Sequence, residues 1–496
     1  MAIYTYIFCQ LMNLFISLWQ NQIIMKENII GRKSEKDLLQ AIYDSSKSEF
    51  VAVCGRRRVG KTFLIREFFE GEMVFQTAGL ANQNMKQQIK SFYADLIDQG
   101  FNRQDTEEPK DWIDVFMMLR QVVKQNKKKR KVILLDELPC MDTPKSGFIA
   151  ALEHFWNSWA SARHDIVLIV CGSATSWMMN KLINNHGGLY NRITRRIFLE
   201  PFSLRETEAF LKSKGFVLSR YEIAECYMVM GGIPFYLEML ERDLSLAQNI
   251  DAMFFRPNGQ LAREFSNLYN ALFKNSSDYV KVVEALSLKR AGLTRTEIIS
   301  GTGLVSGSKL TTILQNLESC GFIRQYRLYG EPHNSIIYQL VDFFTLFYFR
   351  FLVDKTPGKW MSIQDKPKFY AWAGLTFELL AIQHIESIKH SLGINGVETQ
   401  VSTWRCLDGD RGAQIDLIIN RSDNTINLCE AKFSVDDFSI SKDYEKNLRN
   451  KLQQFLNHTK MKKSIQLTLI TTYGLEKNKH SGVIHKLITL DDLFCI

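Results

Sequence analysis

The sequence lacks the cysteine and histidine arrangements that hold structural metals. Its nine cysteines are scattered singly over 496 residues, no two of them form a C-x-x-C pair, and no histidines cluster at ligand spacing. These absences exclude the common structural zinc patterns and predict a cytoplasmic protein in a reducing compartment. Internal repeats and low-complexity tracts are also missing, so few residues can be assigned to flexible linkers.

The first 25 residues lack any charged side chain. They are rich in isoleucine, phenylalanine, leucine and tyrosine, and on length alone such a segment can span a membrane. Five asparagine and glutamine side chains interrupt it, and it has neither the basic region nor the small-residue cleavage site of a signal peptide. We interpret residues 1–25 as an upstream extension, with Met25 as the true start. A membrane anchor is the alternative, and a membrane partner is expected only in that case.

The rest of the composition is that of a globular protein with a modest positive charge. Hydrophobic residues make up 46% and charged residues 23% of the chain, and the length accommodates roughly three domains. The net charge of +9 is compatible with a nucleic-acid partner but does not establish one. The basic run at residues 127–131 can contact phosphates, but we interpret it as a solvated helix end before a buried strand.

Residues 50–65 contain the phosphate-binding P-loop in the setting that this signature requires. The pattern G-x-x-x-x-G-K-T runs from Gly55 to Thr62, with an apolar, β-branched run before it and an amphipathic run after it, so the loop joins a strand to a helix. Gly55 and Gly60 permit the turn that points successive N–H groups at an anion. Lys61 can reach the β- and γ-phosphate oxygens, and the Thr62 hydroxyl can ligate Mg²⁺.

A second apolar run, residues 131–137, ends in two carboxylates, as expected of a buried parallel strand. Asp136 would hold Mg²⁺ through water, and Glu137 would orient or deprotonate the attacking water. Ser173 ends a further strand-like run, where it either senses the γ-phosphate or only caps the strand. Another strand-like run at residues 73–78, together with a Glu next to the Asp, indicates the additional-strand class of P-loop ATPases. The predicted nucleotide-binding residues are Gly55, Arg56, Arg57, Arg58, Val59, Gly60, Lys61, Thr62 and Ser173.

The next two segments are mainly helical. Residues 202–275 contain two helical patterns, a Gly-Gly stop and Pro234 in the first turn of a further helix, which predicts a helical lid. From residue 276 three helical patterns precede two alternating strands, which predicts a winged helix. Thr294 and Glu297 form a capping-box pattern at its second helix. Its third helix offers only Lys309 as a base, offset by Glu318, so a packing role is as well supported as DNA readout.

The C-terminal segment contains a second chemical pattern. Asp416 lies near the start of one predicted strand, and Glu430 and Lys432 share one face of the returning strand. Glu378, on a helix predicted over residues 374–391, can add a further group. Two carboxylates holding Mg²⁺, with a lysine that positions water or phosphate, suit metal-dependent phosphodiester hydrolysis. The alternative is a solvent-facing hairpin with ordinary charge alternation.

With these residues assembled, the chain resembles the archaeal-type ATPases, a prokaryotic family in the AAA+/STAND region of P-loop proteins that carries a C-terminal nuclease-like domain. The resemblance extends from about Asn28 to the C-terminus. It implies ATP binding and hydrolysis, and an arginine among Arg192, Arg195 and Arg196 that meets the γ-phosphate from this subunit or a neighbour. The residues that carry it are Ile30-Gly31-Arg32, Gly55–Thr62, Leu135-Asp136-Glu137, Cys171-Gly172-Ser173, Gly188–Arg196 and Gly231–Tyr236.

The C-terminal segment by itself resembles the PD-(D/E)xK nuclease superfamily. Asp416, Glu430 and Lys432 match its core, while Ile415 stands where the superfamily pattern has proline. The resemblance implies a nuclease fold and leaves active cleavage open. The residues predicted to be catalytic are Glu137, Arg192, Arg195, Asp416, Glu430 and Lys432. The predicted metal ligands are Thr62 and Asp136 for ATP-bound Mg²⁺, and Asp416 and Glu430 for a nuclease metal.

These patterns predict an α/β protein: an additional-strand P-loop ATPase with a helical lid, then a winged helix, then an α/β restriction-endonuclease-like domain. The expected function is a Mg²⁺-dependent ATPase whose hydrolysis controls a nucleic-acid-directed, nuclease-like domain, with DNA favoured over RNA. The alternative is a nucleotide-dependent switch with a non-catalytic DNA- or protein-binding domain. A homo-oligomer or a protein partner fits either. The predicted bounds are 1–25 for the extension, 26–201 for the ATPase, 202–275 for the lid, 276–355 for the winged helix and 356–496 for the nuclease-like domain.

Overall fold

The computed structural model of the chain forms two compact units, the first ending at Glu200 and the second running from Pro201 to Ile496. The expectations for residues 1–25, for Tyr190 and for the hairpin turn at 331–335 lie outside the described residues. Within the described part of the chain, no helix is both long and apolar enough to cross a bilayer. The structure describes residues 28–103, 107–184, 187–189, 191–273, 275–289, 291–330, 336–353, 360–364, 366–406 and 413–496.

The first unit is built on a parallel sheet of five strands in the order β2-β3-β4-β1-β5. Its central strands are continuous apolar runs because helices cover both faces of a parallel sheet. β4 lies between the P-loop strand β1 and the acidic strand β3, so the predicted parallel α/β fold with an inserted strand is confirmed. The strands are β1 Glu49–Cys54, β2 Met73–Ala78, β3 Lys131–Asp136, β4 Ile166–Gly172 and β5 Arg195–Phe198.

An aromatic core holds the helices of this unit against the sheet. Trp112 contacts Phe92 and Phe148 edge-to-face, with ring centroids 5.8 and 4.7 Å apart. Such pairs add to the free energy gained by removing the rings from water. The helices are α1 Lys33–Tyr43, α2 Lys61–Phe68, α3 Met85–Asp98, α4 Trp112–Gln125, α5 Leu138–Met141, α6 Phe148–Ser158 and α7 Thr175–Trp177, the last continued by a π-helical turn, Met178–Ile183.

The basic run before β3 is only partly a solvated helix end. The Arg130 side chain is buried, and its guanidinium donates to three backbone carbonyl oxygens at 2.6–3.1 Å. Lys131 is also buried, and its Nζ lies 2.7 Å from Oδ2 of Asp165. The interpretation of these two residues as solvated is therefore wrong: at the amino-terminal end of β3, Arg130 satisfies backbone carbonyls and Lys131 pairs with a carboxylate.

The second unit begins with helices that have well-formed ends. Ser203 and Ser219 each accept a hydrogen bond from the third helical N–H, in capping boxes with glutamates. Gly231 ends the second helix at φ 70°, and Pro234 begins the next, as the sequence predicts. The helices are α8 Leu204–Ser213, α9 Arg220–Met230, α10 Pro234–Leu237, α11 Leu246–Ile250, continued by the π-helical turn Asp251–Phe255, and α12 Glu264–Leu272.

Three further helices pack with a small antiparallel sheet of order β6-β8-β7. Thr294 caps the second of these helices, and its hydroxyl oxygen accepts from the backbone N–H of Glu297, so the predicted capping box is confirmed. The elements are α13 Ser276–Ser287, β6 Leu293–Thr294, α14 Arg295–Thr302, α15 Ser308–Ser319, β7 Ile323–Arg327 and β8 Ile336–Leu340.

The C-terminal part contains a mixed five-stranded sheet in the order β13-β12-β11-β10-β9. Trp404 of this sheet and Phe455 of the helix Lys442–Thr459 pack at a centroid distance of 5.4 Å. The elements are α16 Phe343–Phe347 with a π-helical turn Tyr348–Leu352, α17 Trp360–Ile363, α18 Pro367–Gln383, α19 Ile385–Ser391, β9 Thr399–Cys406, β10 Ala413–Arg421, β11 Thr425–Lys432, α20 Lys442–Thr459, β12 Ser464–Thr471 and β13 Lys486–Thr489.

The single helix predicted over residues 374–391 is wrong, because His384 separates α18 from α19. The His384 ring is buried and bonded on both sides. Its Nε2 accepts from the backbone N–H of Leu204 at 2.9 Å, and its Nδ1 lies 2.8 Å from the carbonyl oxygen of Leu380. This pattern requires the neutral ring with its proton on Nδ1.

Candidate functional site

The P-loop leaves β1 under a close backbone contact that only glycine permits. Gly55 has φ 146°, and a Cβ at this position would lie 2.3 Å from the carbonyl oxygen of Leu199. The backbone N–H of Leu199 in turn donates to the carbonyl of Cys54 at 2.8 Å. At the other end Gly60, at φ 89°, caps α2. The chain after β5 therefore determines how the loop leaves the sheet.

Lys61 lies beneath the loop, with only 6% of its surface exposed. Its Nζ donates to the carbonyl oxygens of Gly55 and Arg56, both at 2.9 Å. Burial lowers the pKa of Lys61, and the carboxylates of Glu137 and Asp136 partly oppose that shift. A buried ammonium bonded to neutral carbonyls gains from a nearby anion. The position of Lys61 beneath the loop is compatible with its predicted role in phosphate binding.

Thr62 and Asp136 meet directly. The Thr62 hydroxyl donates to Oδ2 of Asp136 at 2.6 Å, and Oδ1 accepts from the backbone N–H of Glu137 at 2.9 Å. A hydroxyl and a carboxylate at one point are oxygen ligands of the kind that Mg²⁺ prefers. Together with the ammonium of Lys61, these residues fit an ATP-bound Mg²⁺.

Glu137 is held by the neighbouring strand. It adopts a left-handed conformation at φ 44°, which is uncommon for a non-glycine residue. Its Oε2 accepts from the hydroxyl of Ser173 at 3.0 Å. Because the two residues follow adjacent parallel strands, the fold brings the predicted water-activating acid and the predicted γ-phosphate sensor into contact.

Arg32 contacts the loop from outside, a role that the sequence reasoning did not assign. Its backbone is left-handed, at φ 53°, and its side chain is buried. Its Nη2 donates to the carbonyl oxygen of Val59 at 3.3 Å, and its Nη1 lies 3.7 Å from Oε1 of Glu35. The available signal in the sequence was the tripeptide Ile30-Gly31-Arg32, which directly precedes a helix and places a charged residue at its start.

The three candidate arginines are exposed at the edge of the sheet. Arg192 lies in the turn before β5, and Arg195 and Arg196 lie in the strand. Among the described residues, neither Arg192 nor Arg195 hydrogen-bonds to the loop, and the Arg195 guanidinium donates to the carbonyl of Thr194. Burial raises the pKa of the Cys54 thiol to about 12, and the charges of Lys61 and Arg196 oppose this. Of the three arginines, Arg196 is the one whose charge influences Cys54, the residue directly before the P-loop.

The C-terminal residues lie on adjacent strands. The register pairs Leu417 with Cys429, and one more step places Asp416 opposite Glu430. Both carboxylates are buried, at 9% and 4% exposure. Nζ of Lys432 lies 3.9 Å from Oε2 of Glu430. The structure thus brings the three superfamily-like residues together at one end of the hairpin.

Two residues at this point were missed by the sequence reasoning. Lys451 of α20 donates to Oε1 of Glu430 at 2.6 Å, and the Tyr444 ring lies 5.3 Å from the Lys432 ammonium. Burial raises the pKa of Glu430, Lys451 opposes that shift, and the charge of Asp416 adds to it. Burial and the charges of Glu430 and Asp416 likewise raise the pKa of Tyr444. The available signal was that positions 444 and 451 are seven apart on one face of an amphipathic helix.

Glu378 lines a cavity with Asp416 rather than joining a three-carboxylate metal site. Within the residues that the structure describes, no group of three or more histidine, cysteine, aspartate or glutamate side chains could hold a metal ion. A metal at this site would therefore depend on Asp416 and Glu430, on backbone or amide oxygens, and on water or substrate.

The match to a known protein family is confined to the N-terminal half of the chain, while one relative aligns with most of its length. Residues 30–240, which include the loop, Asp136, Glu137 and Ser173, match the family model described as an ATPase domain predominantly from Archaea. An uncharacterised protein of Methanocaldococcus jannaschii is 25% identical over 428 residues, which is 84% of this chain and 90% of that protein. An uncharacterised ATP-binding protein of the same organism is 38% identical over 45 residues, or 9% of this chain and 76% of that protein.

Two solved structures are similar to the chain over about two thirds of its length or more. The Walker-type ATPase of Pyrococcus abyssi has a TM-score of 0.46 and 19% identity, covering 66% of this chain and 97% of that one. The Aeropyrum pernix ORC2 protein in its ADPNP–ADP complexes has a TM-score of 0.40 and 13% identity, covering 73% and 98%.

Proposed function

We propose that the chain hydrolyses ATP with Mg²⁺ and that hydrolysis controls a nucleic-acid-directed, nuclease-like C-terminal domain; the match of residues 30–240 to the archaeal ATPase-domain model supports the first part. The observation that carries the first part is the 2.6 Å hydrogen bond between Thr62 and Asp136, with Glu137 directly after it. A P-loop hydroxyl paired with the acid of the neighbouring strand is the arrangement that holds nucleotide-bound Mg²⁺.

Each residue of the nucleotide site has a defined task in this proposal. The loop N–H groups and Lys61 bind the phosphate oxygens, while Thr62 and Asp136 hold the metal, which would neutralise charge on the phosphates. Glu137 orients water and accepts its proton. Ser173 donates its hydroxyl to Glu137 and can exchange that bond for one to the γ-phosphate, which would release the carboxylate toward water. An arginine of the 192–196 segment adds positive charge from this subunit or a neighbour.

The C-terminal acids and lysines support metal-dependent cleavage of a phosphodiester. Asp416 and Glu430 are buried carboxylates on adjacent strands. When bound, the metal would lower the pKa of a water molecule and make it a nucleophile. Lys432 and Lys451 flank Glu430 and can steady the phosphate. The predicted superfamily fold, with its acids on neighbouring strands, is compatible with this arrangement.

A second candidate function is a nucleotide-dependent switch whose C-terminal domain binds DNA or a protein without cutting. The 2.6 Å ion pair between Lys451 and Glu430 favours it, because a carboxylate already neutralised by lysine is a weaker metal ligand. Within this alternative, the proposed winged helix favours a protein partner over DNA. Lys309, the base on its third helix, is paired with Asp278 at 2.6 Å, which weakens any attraction to DNA phosphates.

The test uses the purified full chain with Mg²⁺, ATP and several DNA and RNA forms, scored for both ATP hydrolysis and strand cleavage. Lys61→Ala is the matched variant for the nucleotide site and should abolish nucleotide binding, since the buried ammonium is lost. Mg²⁺-dependent ATP hydrolysis by the parent, absent in Lys61→Ala, supports the ATPase. Cleavage of any strand supports the nuclease, whereas hydrolysis without cleavage selects the switch. No hydrolysis under any condition would overturn the proposal.

A further inference from the structure

A polar cavity lies between the β7–β8 hairpin and the C-terminal sheet, inside the second unit. Arg324 and Tyr326 reach it from β7, Glu378 from α18, Arg405 from β9 and Asp416 from β10. Asp416 is also the acid whose charge acts on Glu430. The cavity therefore adjoins the candidate nuclease site but draws two of these five polar groups from the β7–β8 hairpin.

The hairpin is attached to the sheet by backbone contacts. The N–H of Tyr329 donates to the carbonyl oxygen of Thr403 at 2.8 Å, and Leu328 forms a parallel bridge with the same residue. The Tyr326 hydroxyl donates to the carbonyl oxygen of Ala291 at 2.5 Å. These bonds hold the side chains of β7 at the cavity, so their position there does not depend on a flexible loop.

The two arginines of the cavity come from β7 and β9. Nε of Arg324 donates to Oε1 of Gln339 at 2.8 Å, and the guanidinium lies 5.1 Å from the centroid of the Tyr326 ring. Arg405 is half-buried on β9, in register with Gln414. Within the described ranges, neither guanidinium forms an ion pair with a carboxylate. Arginines removed from water are normally paired, because uncompensated charge is costly there.

We propose that Arg324 and Arg405 form a phosphate-binding pair that receives a phosphate of a nucleic-acid strand beside Asp416. The inference rests on the proposed role of the C-terminal domain in binding nucleic acid. A guanidinium presents a planar fork of donors that matches two phosphate oxygens, and the low-dielectric cavity strengthens each bond. Gln339 and the Tyr326 ring orient the Arg324 fork without consuming its Nη donors.

The charges in the cavity predict that phosphate binding depends on Mg²⁺. Among the described residues that line the cavity, two guanidinium groups and the carboxylates of Asp416 and Glu378 sum to zero, so an anion gains little net attraction from these four groups alone. A divalent cation at Asp416 would leave the cavity positive. Binding of a phosphate group should therefore strengthen when Mg²⁺ is added, and the hairpin residue Arg324 should contribute to it as much as the sheet residue Arg405.

The test measures binding by calorimetry with the full chain carrying Lys61→Ala, so that the P-loop does not bind phosphate. The probes are inorganic phosphate, a tetranucleotide with a 5′-phosphate and the same tetranucleotide without it, each with and without Mg²⁺. Arg324→Ala and Arg405→Ala should each weaken tetranucleotide binding by about tenfold or more. Arg327→Ala is the matched control, because Arg327 lies on the same strand but is exposed and does not line the cavity.

The lysine variants separate recognition from folding. Arg324→Lys and Arg405→Lys keep the charge but lose the fork, so their binding should fall between that of the parent and that of the alanine variants, at unchanged melting temperature. Preference for the phosphorylated tetranucleotide would assign a terminal phosphate, and equal binding an internal diester. Either result supports the proposal. Parent-like binding by both alanine variants, an equal loss in Arg327→Ala, or binding of inorganic phosphate alone would overturn it.

Failure of this inference is distinguishable from failure of the proposed nuclease. If tetranucleotide binding depends on the two arginines but no strand is cleaved, the phosphate-binding pair is supported and the nuclease is contradicted. If the parent cleaves the strand and the alanine variants have the same KM for it, the phosphate-binding pair is contradicted and the nuclease is supported.

Discussion

At the scale of single residues, the proposed ATP hydrolysis assigns the role of base to Glu137. Its carboxylate is bound by Ser173, and its backbone N–H donates to Asp136. Glu137→Gln keeps the backbone donor and an oxygen for Ser173 but loses the base. We expect ATP binding to persist while hydrolysis falls roughly 10²–10⁴-fold, measured as phosphate release alongside nucleotide binding. A variant that hydrolyses ATP at the parent rate would remove Glu137 from the mechanism.

His384 should make stability depend on pH. Burial lowers its pKa from 6.5 to about 4, and the Leu380 carbonyl partly opposes that shift. Between these two values the unfolded chain binds a proton that the folded chain does not, so this contribution is complete above about pH 6.5 and lost as the pH falls toward 4. The loss amounts to at most about 3 kcal/mol.

The comparison variant is His384→Gln, whose amide oxygen can accept the Leu204 N–H but does not titrate. Urea midpoints are measured for both chains at about pH 7.5 and about pH 5. The parent midpoint should drop more than that of the variant over this interval. Equal drops would mean that His384 titrates normally in the folded protein.

At the scale of elements, the P-loop and β5 depend on each other. A methyl group on Gly55 would meet the Leu199 carbonyl at 2.3 Å, and φ 146° disfavours any other residue. Gly55→Ala should therefore lower stability by about 3 kcal/mol or more and weaken ATP binding, as measured by thermal unfolding and nucleotide titration.

Gly374→Ala is the control for that substitution. Gly374 lies inside α18, and a methyl group there would meet no atom within 4 Å other than the backbone of its own helix. Alanine at this position should therefore be neutral or stabilising by up to about 1 kcal/mol. If both variants unfold at the parent temperature, the close contact between the loop and the chain after β5 does not restrain the loop.

Elements with strong local patterns were predicted to the residue. The strand Met73–Ala78 has the bounds predicted for the strand-like run at residues 73–78, because that run stops where Gly79 follows it. β5 was not predicted as a strand. It has four residues, two arginines followed by Ile197 and Phe198, and so short a segment without period-2 alternation cannot be identified without the neighbouring β1.

At the scale of the whole molecule, the two candidate chemistries belong to different units. Asp136 lies in the first unit and Asp416 in the second. Asp416→Ala should remove Mg²⁺-dependent strand cleavage while leaving the basal rate of ATP hydrolysis within about twofold of the parent, since no ATP-site residue is altered. Cleavage and ATP turnover are measured on the same preparation. Cleavage that survives in Asp416→Ala would place the nuclease chemistry elsewhere.

The sequence alone was sufficient to predict the candidate nucleotide site, because its groups are contiguous or follow apolar strands. The loop from Gly55 to Thr62 acts through its own backbone, and parallel strands deliver Asp136 and Ser173 to one edge of a sheet. Only the tertiary structure decided which groups surround Glu430 and Asp416. Lys451 comes from a later helix and Arg324 from an earlier hairpin, and no period or spacing relates them to these acids. Contacts between residues far apart in the chain are set by packing, which local pattern does not encode.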